Sequence, residues 1–458
     1  MDPNLLYRSQ SEYFMKGHTR PAEFRIRQCE TLKQAVLEYE PQILAAVAKD
    51  MGRPETEAYT SEVMMIIKEV DHAVRHIRSW MKPRRVRTSW MNRPGKSYIL
   101  PEPYGNALII GPWNYPFQLL LCPLVGAIAA GNTAVLKISE IAEHSGKVIS
   151  EMVSRYFEPE YIAAVQGGTE ETQQLLDQEF DYIFFTGSVA VGKVIMEKAA
   201  TRLTPVTLEL GGKNPCIVTP ETRLETAARR ICWGKFFNAG QTCIASDYIL
   251  VQESMRDSLL TLLKATLTQF YGGNVRQSAD YGRIINQRHF RRLLHLLEDQ
   301  KVFFGGENQE SELFIAPTLL QDVSPESPVM QEEIFGPLLP VLTYGTLDEA
   351  IRFVRSLPKP LALYVFSDDR ATQMRILQET SSGSVNINDT FSQVTSTTLP
   401  FGGVGASGMG YYHGEESFRT FTHYRSVLHR SIRFDNRSKY APYRTPLKYL
   451  KRVMSLIG

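Results

Sequence analysis

From residue 98 onward the chain keeps setting a short, nearly continuous apolar run against a helical segment. Residues 107–111 (Ala-Leu-Ile-Ile-Gly), 133–137 (Thr-Ala-Val-Leu-Lys), 163–166 (Ala-Ala-Val-Gln) and 182–186 (Tyr-Ile-Phe-Phe-Thr) are apolar at nearly every position rather than at every second one. That pattern belongs to strands buried on both faces, and alternation with helices makes the sheet parallel. A second such region follows Gly211-Gly212, with runs at 216–218, 248–251 and 362–366. At 458 residues the chain is too long for one core, so the expectation is an α/β protein of two or three domains.

The flanks read differently. Residues 21–49 carry Phe24, Ile26, Leu32, Val36, Leu37, Ile43, Leu44 and Val47 at helical spacing, and 57–80 continue in that style. The stretches 82–87 (Lys-Pro-Arg-Arg-Val-Arg) and 92–95 (Asn-Arg-Pro-Gly) break the helix and read as an exposed extended excursion. Residues 399–414 are rich in glycine and aromatics, and a basic tail begins at Arg430.

Net charge is +2, with 43% hydrophobic and 22% charged residues, which argues against nucleic acid as the main partner. No basic-then-apolar leader opens the sequence, and the most apolar stretch, 117–130, is short and holds Pro123. The expectation is a soluble, cytoplasmic protein. The five cysteines, Cys29, Cys122, Cys216, Cys232 and Cys243, are odd in number and form no CxxC pair, so neither disulfides nor zinc are expected. Four sit in apolar settings as core residues; Cys243 alone has neighbours that suggest reactivity.

Several strings bear on chemistry. Gly187-Ser188-Val189-Ala190-Val191-Gly192-Lys193 follows a strand and opens a helix, a context for phosphate at a helix N-terminus or for a plain glycine turn. It nearly spells a P-loop, but Val194 stands where a Mg²⁺-holding hydroxyl belongs, which argues against nucleotide hydrolysis. Gly403-Val404-Gly405-Ala406-Ser407-Gly408 satisfies GxGxxG without a preceding strand or following helix, and reads as a loop packed near the active region. His72 and His76 share a helix face with no accompanying carboxylates, so a solvated face is expected rather than a metal site. Residues 236–243 (Phe-Phe-Asn-Ala-Gly-Gln-Thr-Cys) give Cys243 the open, polar backbone that a reactive thiol needs. Glu209 lies at an apolar strand end before two glycines, where a lone carboxylate is costly unless it is paired or has a raised pKa, and the latter is what a general base requires. Residues 112–116 (Pro-Trp-Asn-Tyr-Pro) end a strand with an amide, Asn114, able to donate to an oxyanion. Residues 332–337 (Glu-Glu-Ile-Phe-Gly-Pro) add acidic and aromatic groups suited to a nicotinamide ribose and ring.

Together with Phe-Thr-Gly-Ser (185–188), Leu-Glu-Leu-Gly-Gly-Lys (208–213) and Pro-Phe-Gly-Gly-Val-Gly-Ala-Ser-Gly (400–408), these strings closely resemble the aldehyde dehydrogenase superfamily, in family order and over nearly the whole chain. Residues 233–236 (Trp-Gly-Lys-Phe), 281–285 (Tyr-Gly-Arg-Ile-Ile) and 408–414 (Gly-Met-Gly-Tyr-Tyr-His-Gly) look like its class 3, fatty-aldehyde-type branch. The resemblance implies a Rossmann-like NAD(P)-binding domain (1–81 and 101–210), an α/β catalytic domain (211–397) and a small β bridging or oligomerisation arm (82–100 and 398–430), with 431–458 as a basic tail. It further implies a homodimer in which the arm extends the partner's sheet.

Carried over position by position, the resemblance makes Cys243 the nucleophile, the Cys243 N–H and the Asn114 amide the oxyanion donors, and Glu209 the base that hydrolyses a thioester. It places Glu333 and Phe335 on the nicotinamide ribose and ring, Lys137 and Glu140 on the adenosine ribose, and Gly187, Ser188, Val189, Ala190, Val191 and Gly192 near the phosphates, with Trp113 also in the cofactor site. Ile138 replaces the proline that usually follows the ribose lysine. Glu140 favours NAD by repelling a 2′-phosphate, while class 3 relatives accept NADP as well. Tyr115, Trp233, Thr242 and Phe401, with Met65, are expected to line an apolar substrate tunnel suited to medium- or long-chain aliphatic or aromatic aldehydes.

In the tail, Arg444, Lys448, Lys451 and Arg452 interleave with Leu447, Leu450, Val453, Met454 and Ile457 as a basic amphipathic helix. Two readings stand: a surface helix docked on the dimer, or a segment covering the tunnel mouth or touching anionic membrane. The rival classes are a coenzyme A-acylating relative, which would not need Glu209, and a non-catalytic scaffold, which would not retain Asn114, Glu209 and Cys243 together.

Overall fold

The computed structural model describes residues 2–435 and 437–455. The chain divides into a large unit, residues 1–80 and 103–423, and a small one, residues 81–102 and 424–458.

The large unit holds two sheets. Gly408–Met409, Val206–Glu209, Tyr182–Thr186, Asn106–Ile110, Thr133–Lys137 and Ile162–Val165 lie in that order in the first, all parallel except the two-residue edge strand Gly408–Met409. The runs on the three central strands Asn106–Ile110, Thr133–Lys137 and Tyr182–Thr186 are buried along their length because helices cover both faces, while Ala164 and Val165 on the edge strand are only half-buried. Leu108, Ile110, Val135, Ile183, Phe185 and Leu208 form one core with Leu175, Ile195 and Ala199. Each such side chain, fully withdrawn from water, contributes roughly 1.5–3 kcal/mol. Helix Gln118–Ala130, the apolar stretch that holds Pro123, is buried on every side. Among the described residues no helix is long and apolar enough to cross a membrane.

The second sheet runs Val302–Phe304, Thr318–Leu320, Leu338–Tyr344, Tyr248–Gln252, Pro215–Val218, Ala362–Phe366 and Ser384–Ile387. Only Val302–Phe304 is antiparallel to its neighbour. The passage from one sheet to the other falls between Val206–Glu209 and Pro215–Val218, across Gly211-Gly212.

Two expectations need correction. Residues 398–423 belong to the large unit rather than to the arm. Gly408 pairs with Glu209 and Met409 with Leu208, and helix Glu415–Thr420 packs on Gln118–Ala130, where a Cβ on Gly126 would strike Ser417. His72 and His76 are not a solvated face. Their rings lie 4.4 Å apart and continue into Trp80, 5.6 Å from His76, which meets Phe418 at 5.5 Å.

In the small unit, Arg84–Val86, Gly95–Pro103 and Thr422–Arg430 form a three-stranded sheet, with a 3₁₀ turn at Trp90–Asn92 inside the excursion read as extended. The tail holds a helix at Leu447–Ser455. Leu447 and Leu450 are exposed on it, while Ile457 lies outside the described residues.

Candidate active site

In open parallel sheets, ligands gather outside the carboxyl ends of strands where strand order reverses. In the first sheet that point lies between Asn106–Ile110 and Tyr182–Thr186. The loops leaving Asn106–Ile110, Tyr182–Thr186 and Val206–Glu209 enclose a cavity of about 380 Å³. Pro112, Trp113, Asn114, Thr186, Gly187, Ser188, Val189, Ala190, Glu209 and Gly211 line it, joined by Glu332, Glu333 and Phe335. A second cavity of about 370 Å³ is lined by Met65, Tyr115, Trp233, Thr242 and Phe401 among others. Cys243 lines both.

The segment that carries Cys243 is built against a strained turn. Asn238 and Ala239 hold φ of 52° and 51°, and Gly240 follows at 76°, where a Cβ would strike the Gly336 carbonyl. Left-handed backbone at non-glycine residues costs about 1–3 kcal/mol each and persists only where surrounding contacts impose it. Those contacts are visible. The Asn238 side-chain amide donates to the Asn114 and Gln241 carbonyls at 3.2 Å each, and the Gln241 amide donates to Asn238 O at 3.1 Å and Arg283 O at 2.9 Å. Asn214 Nδ2 donates to the Cys243 carbonyl at 2.7 Å. Arg53, fully buried, donates to Asn238 Oδ1 at 2.9 Å, to Glu62 at 2.8 Å and to the Asn114 carbonyl, and lies 4.5 Å over the Tyr115 ring. Glu62 in turn accepts from the Phe117 and Gln118 N–H groups at 3.1 and 2.9 Å.

Asn114 Nδ2 donates one hydrogen to the Gln241 carbonyl at 3.1 Å; the second amide hydrogen remains for a ligand beside Cys243. Burial, with the charges of Glu333 and Glu209, pushes the Cys243 thiol up, while the N–H groups of Cys243 and Ile244 pull it down. Cys29, Cys122, Cys216 and Cys232 are buried, with thiols raised chiefly by desolvation. Cys243 alone opens to cavities.

Glu209 ends its strand 3% exposed, and neither carboxylate oxygen has a hydrogen-bond partner. Burial alone holds this carboxyl well above the ordinary range. Glu333 is raised to about 8 by burial and by Asp247, and its Oε1 has no partner. Phe335 next to it sits at φ 48° and meets Trp113 edge-on at 5.4 Å. A cavity with an unpartnered carboxyl, an aromatic pair and a strand-to-helix turn suits a dinucleotide.

The remaining cofactor positions divide. Gly187, Ser188, Val189 and Ala190 line the cavity. Val191 and Gly192 do not: Ser188 Oγ accepts the Val191 N–H as a helix cap, and Gly192 packs on Leu210. Lys137 is buried and donates to the Ile138 and Gly167 carbonyls at 2.7 and 2.6 Å, while Glu140, 3.9 Å from it, is exposed; neither lines the cavity. On the other side, Tyr115 Oη lies 2.6 Å from Thr242 Oγ1, and Trp233, Phe237 and Phe391 form an aromatic cluster with centroids 5.1–6.0 Å apart.

His289 and Arg292 in the first cavity, and Thr56, Glu57, Thr60, Ser61 and Met64 in the second, escaped sequence reading. The spacing of 56, 57, 60, 61 and 64 is that of one helix face, and it was the only available signal. The π-helical turn Tyr59–Val63 lies within it.

The aldehyde dehydrogenase family model matches residues 8–427. The 4,4′-diaponeurosporen-aldehyde dehydrogenase of Staphylococcus aureus is 48% identical over 441 residues, 96% of each chain. Aldehyde dehydrogenase family 3 member A2 of Rattus norvegicus is 49% identical over 431 residues, 94% of this chain and 89% of that one. Among solved structures, the substrate-bound state of Staphylococcus aureus AldH superposes with a TM-score of 0.96 at 47% identity, covering 98% of this chain and 99% of that one. A family match over residues 8–427, a range that takes in the lining of both cavities, with near-half identity over 94% of the chain, settles the kinship: the chain belongs to the aldehyde dehydrogenase family, among its family 3 members, and is an NAD(P)-dependent aldehyde-oxidising enzyme.

Proposed function

We propose that the enzyme oxidises medium- and long-chain aliphatic or aromatic aldehydes to free carboxylic acids through a thioester on Cys243. The observation that carries this reading is the position of Cys243 at the junction of an apolar cavity and a polar one that also holds Glu209.

An aldehyde in the apolar cavity presents its carbonyl carbon to Cys243 Sγ in its thiolate form, the proton having left to solvent before attack. The C–S bond forms and the carbonyl π pair moves to oxygen, where the Cys243 N–H and the spare Asn114 N–H hold the charge. Such donors are worth about 10²–10³ in rate. A bound nicotinamide dinucleotide supplies the hydride acceptor, and Trp113, the Gly187–Ala190 turn, Glu333 and Phe335 would hold it. Loss of hydride leaves the acyl group on sulfur. Glu209 then takes a proton from water, the hydroxide oxygen attacks the thioester carbon, and the C–S bond breaks to return the thiolate.

Glu209→Gln lowers kcat by about 10²–10⁴-fold but keeps a burst of one NADH per site. Only ionised Glu209 accepts the proton, so wild-type kcat rises as pH climbs through the raised Glu209 pKa. That limb flattens in the glutamine variant. Stopped-flow absorbance across pH checks both; a variant with unchanged kcat contradicts the assignment.

Glu140 favours NAD over NADP in this reading, since its exposed carboxylate repels a 2′-phosphate. A homodimer is proposed through the small unit, in which Thr422–Arg430 is an outer strand. The tail is proposed to touch anionic lipid. Arg433, Arg437, Lys439, Arg444, Lys448, Lys451 and Arg452 face a single acid, Asp435, and Ile432, Phe434, Tyr443 and Leu447 stand exposed among them. Removing residues 443–458 lowers co-sedimentation with phosphatidylglycerol vesicles at least tenfold at low salt and leaves phosphatidylcholine binding weak. Equal sedimentation by both forms contradicts it.

A further inference from the structure

The cavity on the substrate side of Cys243 is not apolar throughout. Trp233, Phe237 and Phe391 supply one part of its wall, while Thr56, Glu57, Thr60 and Ser61 supply another. Thr60 Oγ1 donates back to the Thr56 carbonyl at 2.7 Å and Ser61 Oγ to the Glu57 carbonyl at 2.6 Å. Their hydrogens are thus spent within the helix, and the oxygens offer only lone pairs outward. Glu57 is the one carboxyl among the lining residues. Its Oε2 accepts the Asn238 N–H at 3.0 Å, and it forms no ion pair among the described residues. Arg53, whose charge lies near, directs its donors to Glu62, Asn238, the Asn114 carbonyl and, at 3.4 Å, Ser61 Oγ, and none to Glu57. The hydroxyls of Thr60 and Ser61 and the second oxygen of Glu57 are therefore acceptors on this wall.

A carboxyl drawn out of water in a largely apolar cavity is costly unless something hydrogen-bonds to it. The Asn238 N–H covers one oxygen only. We propose that Glu57 anchors a second recognition point in the aldehyde cavity, one that takes a hydrogen-bond-donating group, hydroxyl or ammonium, carried by the substrate away from its aldehyde. Burial holds Glu57 up to about 7, so a donor arriving there meets a carboxyl that is readily ionised or neutral near physiological pH. Aromatic faces nearby favour the cationic form of such a group. The subsite rests on the reading of Cys243 as the reacting centre, since that fixes which end of the substrate points inward.

The test compares kcat/KM for straight-chain aldehydes of six to ten carbons, plain, ω-hydroxy and ω-dimethylammonio, in wild type, Glu57→Gln and Glu57→Leu. Wild type prefers both substituted forms over the plain aldehyde by about tenfold or more at one chain length. Glu57→Gln keeps an acceptor for Asn238 and for the hydroxyl, so it loses mainly the preference for ammonium. Glu57→Leu loses both preferences and gains on the plain aldehyde. Absence of any preference in wild type overturns the proposal. So does an equal loss on all three substrate types in both variants, which would assign Glu57 to holding Asn238 alone. Failure of the Cys243 reading is distinguishable, because it appears as undiminished turnover by Cys243→Ala whatever the tail group.

Discussion

Cys243→Ala abolishes aldehyde-dependent NADH formation, a fall of roughly 10⁴-fold or more. The size of the effect follows from what remains. In the proposed mechanism Asn114 and the backbone donors still meet the aldehyde oxygen, so binding survives, but no atom is left to form the covalent bond that lets hydride depart from a tetrahedral centre. The change removes one small, half-buried group and costs roughly 1 kcal/mol of stability. Thermal unfolding should therefore stay near wild type while absorbance at the NADH band stays flat. The corresponding alanine variants of Cys29, Cys122, Cys216 and Cys232 retain turnover, since these thiols are packed in the interior and line neither cavity.

Arg53→Leu destabilises the protein by about 3–5 kcal/mol. The guanidinium is fully buried against Glu62, and its removal leaves that carboxylate facing the Phe117 and Gln118 N–H groups without a counter-charge. The loss extends to chemistry. Arg53 also holds the Asn114 carbonyl and the Asn238 side chain, which together fix the amide proposed to meet the oxyanion and the strained turn before Cys243. Expected results are a urea midpoint shifted well below wild type and a kcat lowered at temperatures where the variant remains folded. Arg53→Lys keeps the charge but not the fork of donors, and falls between the two. An unchanged midpoint in Arg53→Leu would show that the pair contributes nothing net.

Much of this architecture was legible in the chain because it rests on local pattern. Runs such as Tyr182–Thr186 are apolar at consecutive positions, which only a doubly covered strand requires. Cys243, Glu209 and Asn114 stand out in the chain because each sits at a strand end or turn with its chemistry exposed by its neighbours, and the fold sets all three on one cavity. What escaped depends on partners distant in sequence. Gly408–Met409 is two residues of edge strand inside a glycine-rich stretch, with no periodicity to announce it. The His72–His76–Trp80 column reads as polar until Phe418 is brought beside it by the fold. Arg53 carries no local signal at all; its role exists only once Glu62, Asn114 and Asn238 converge on it. Val191 and Gly192 lie behind the cavity lining, since the sequence shows a glycine string but not that Ser188 caps the helix.

The central claim is that the acyl group resides on Cys243 between hydride loss and hydrolysis. The most direct measurement is intact-protein and peptide mass spectrometry of Glu209→Gln, quenched with acid after mixing with NAD and a saturated aldehyde. The account predicts one acyl mass per chain, located on the peptide that contains Cys243, appearing with the NADH burst and absent without NAD. An NADH burst with no adduct, or an adduct on any other residue, would contradict it.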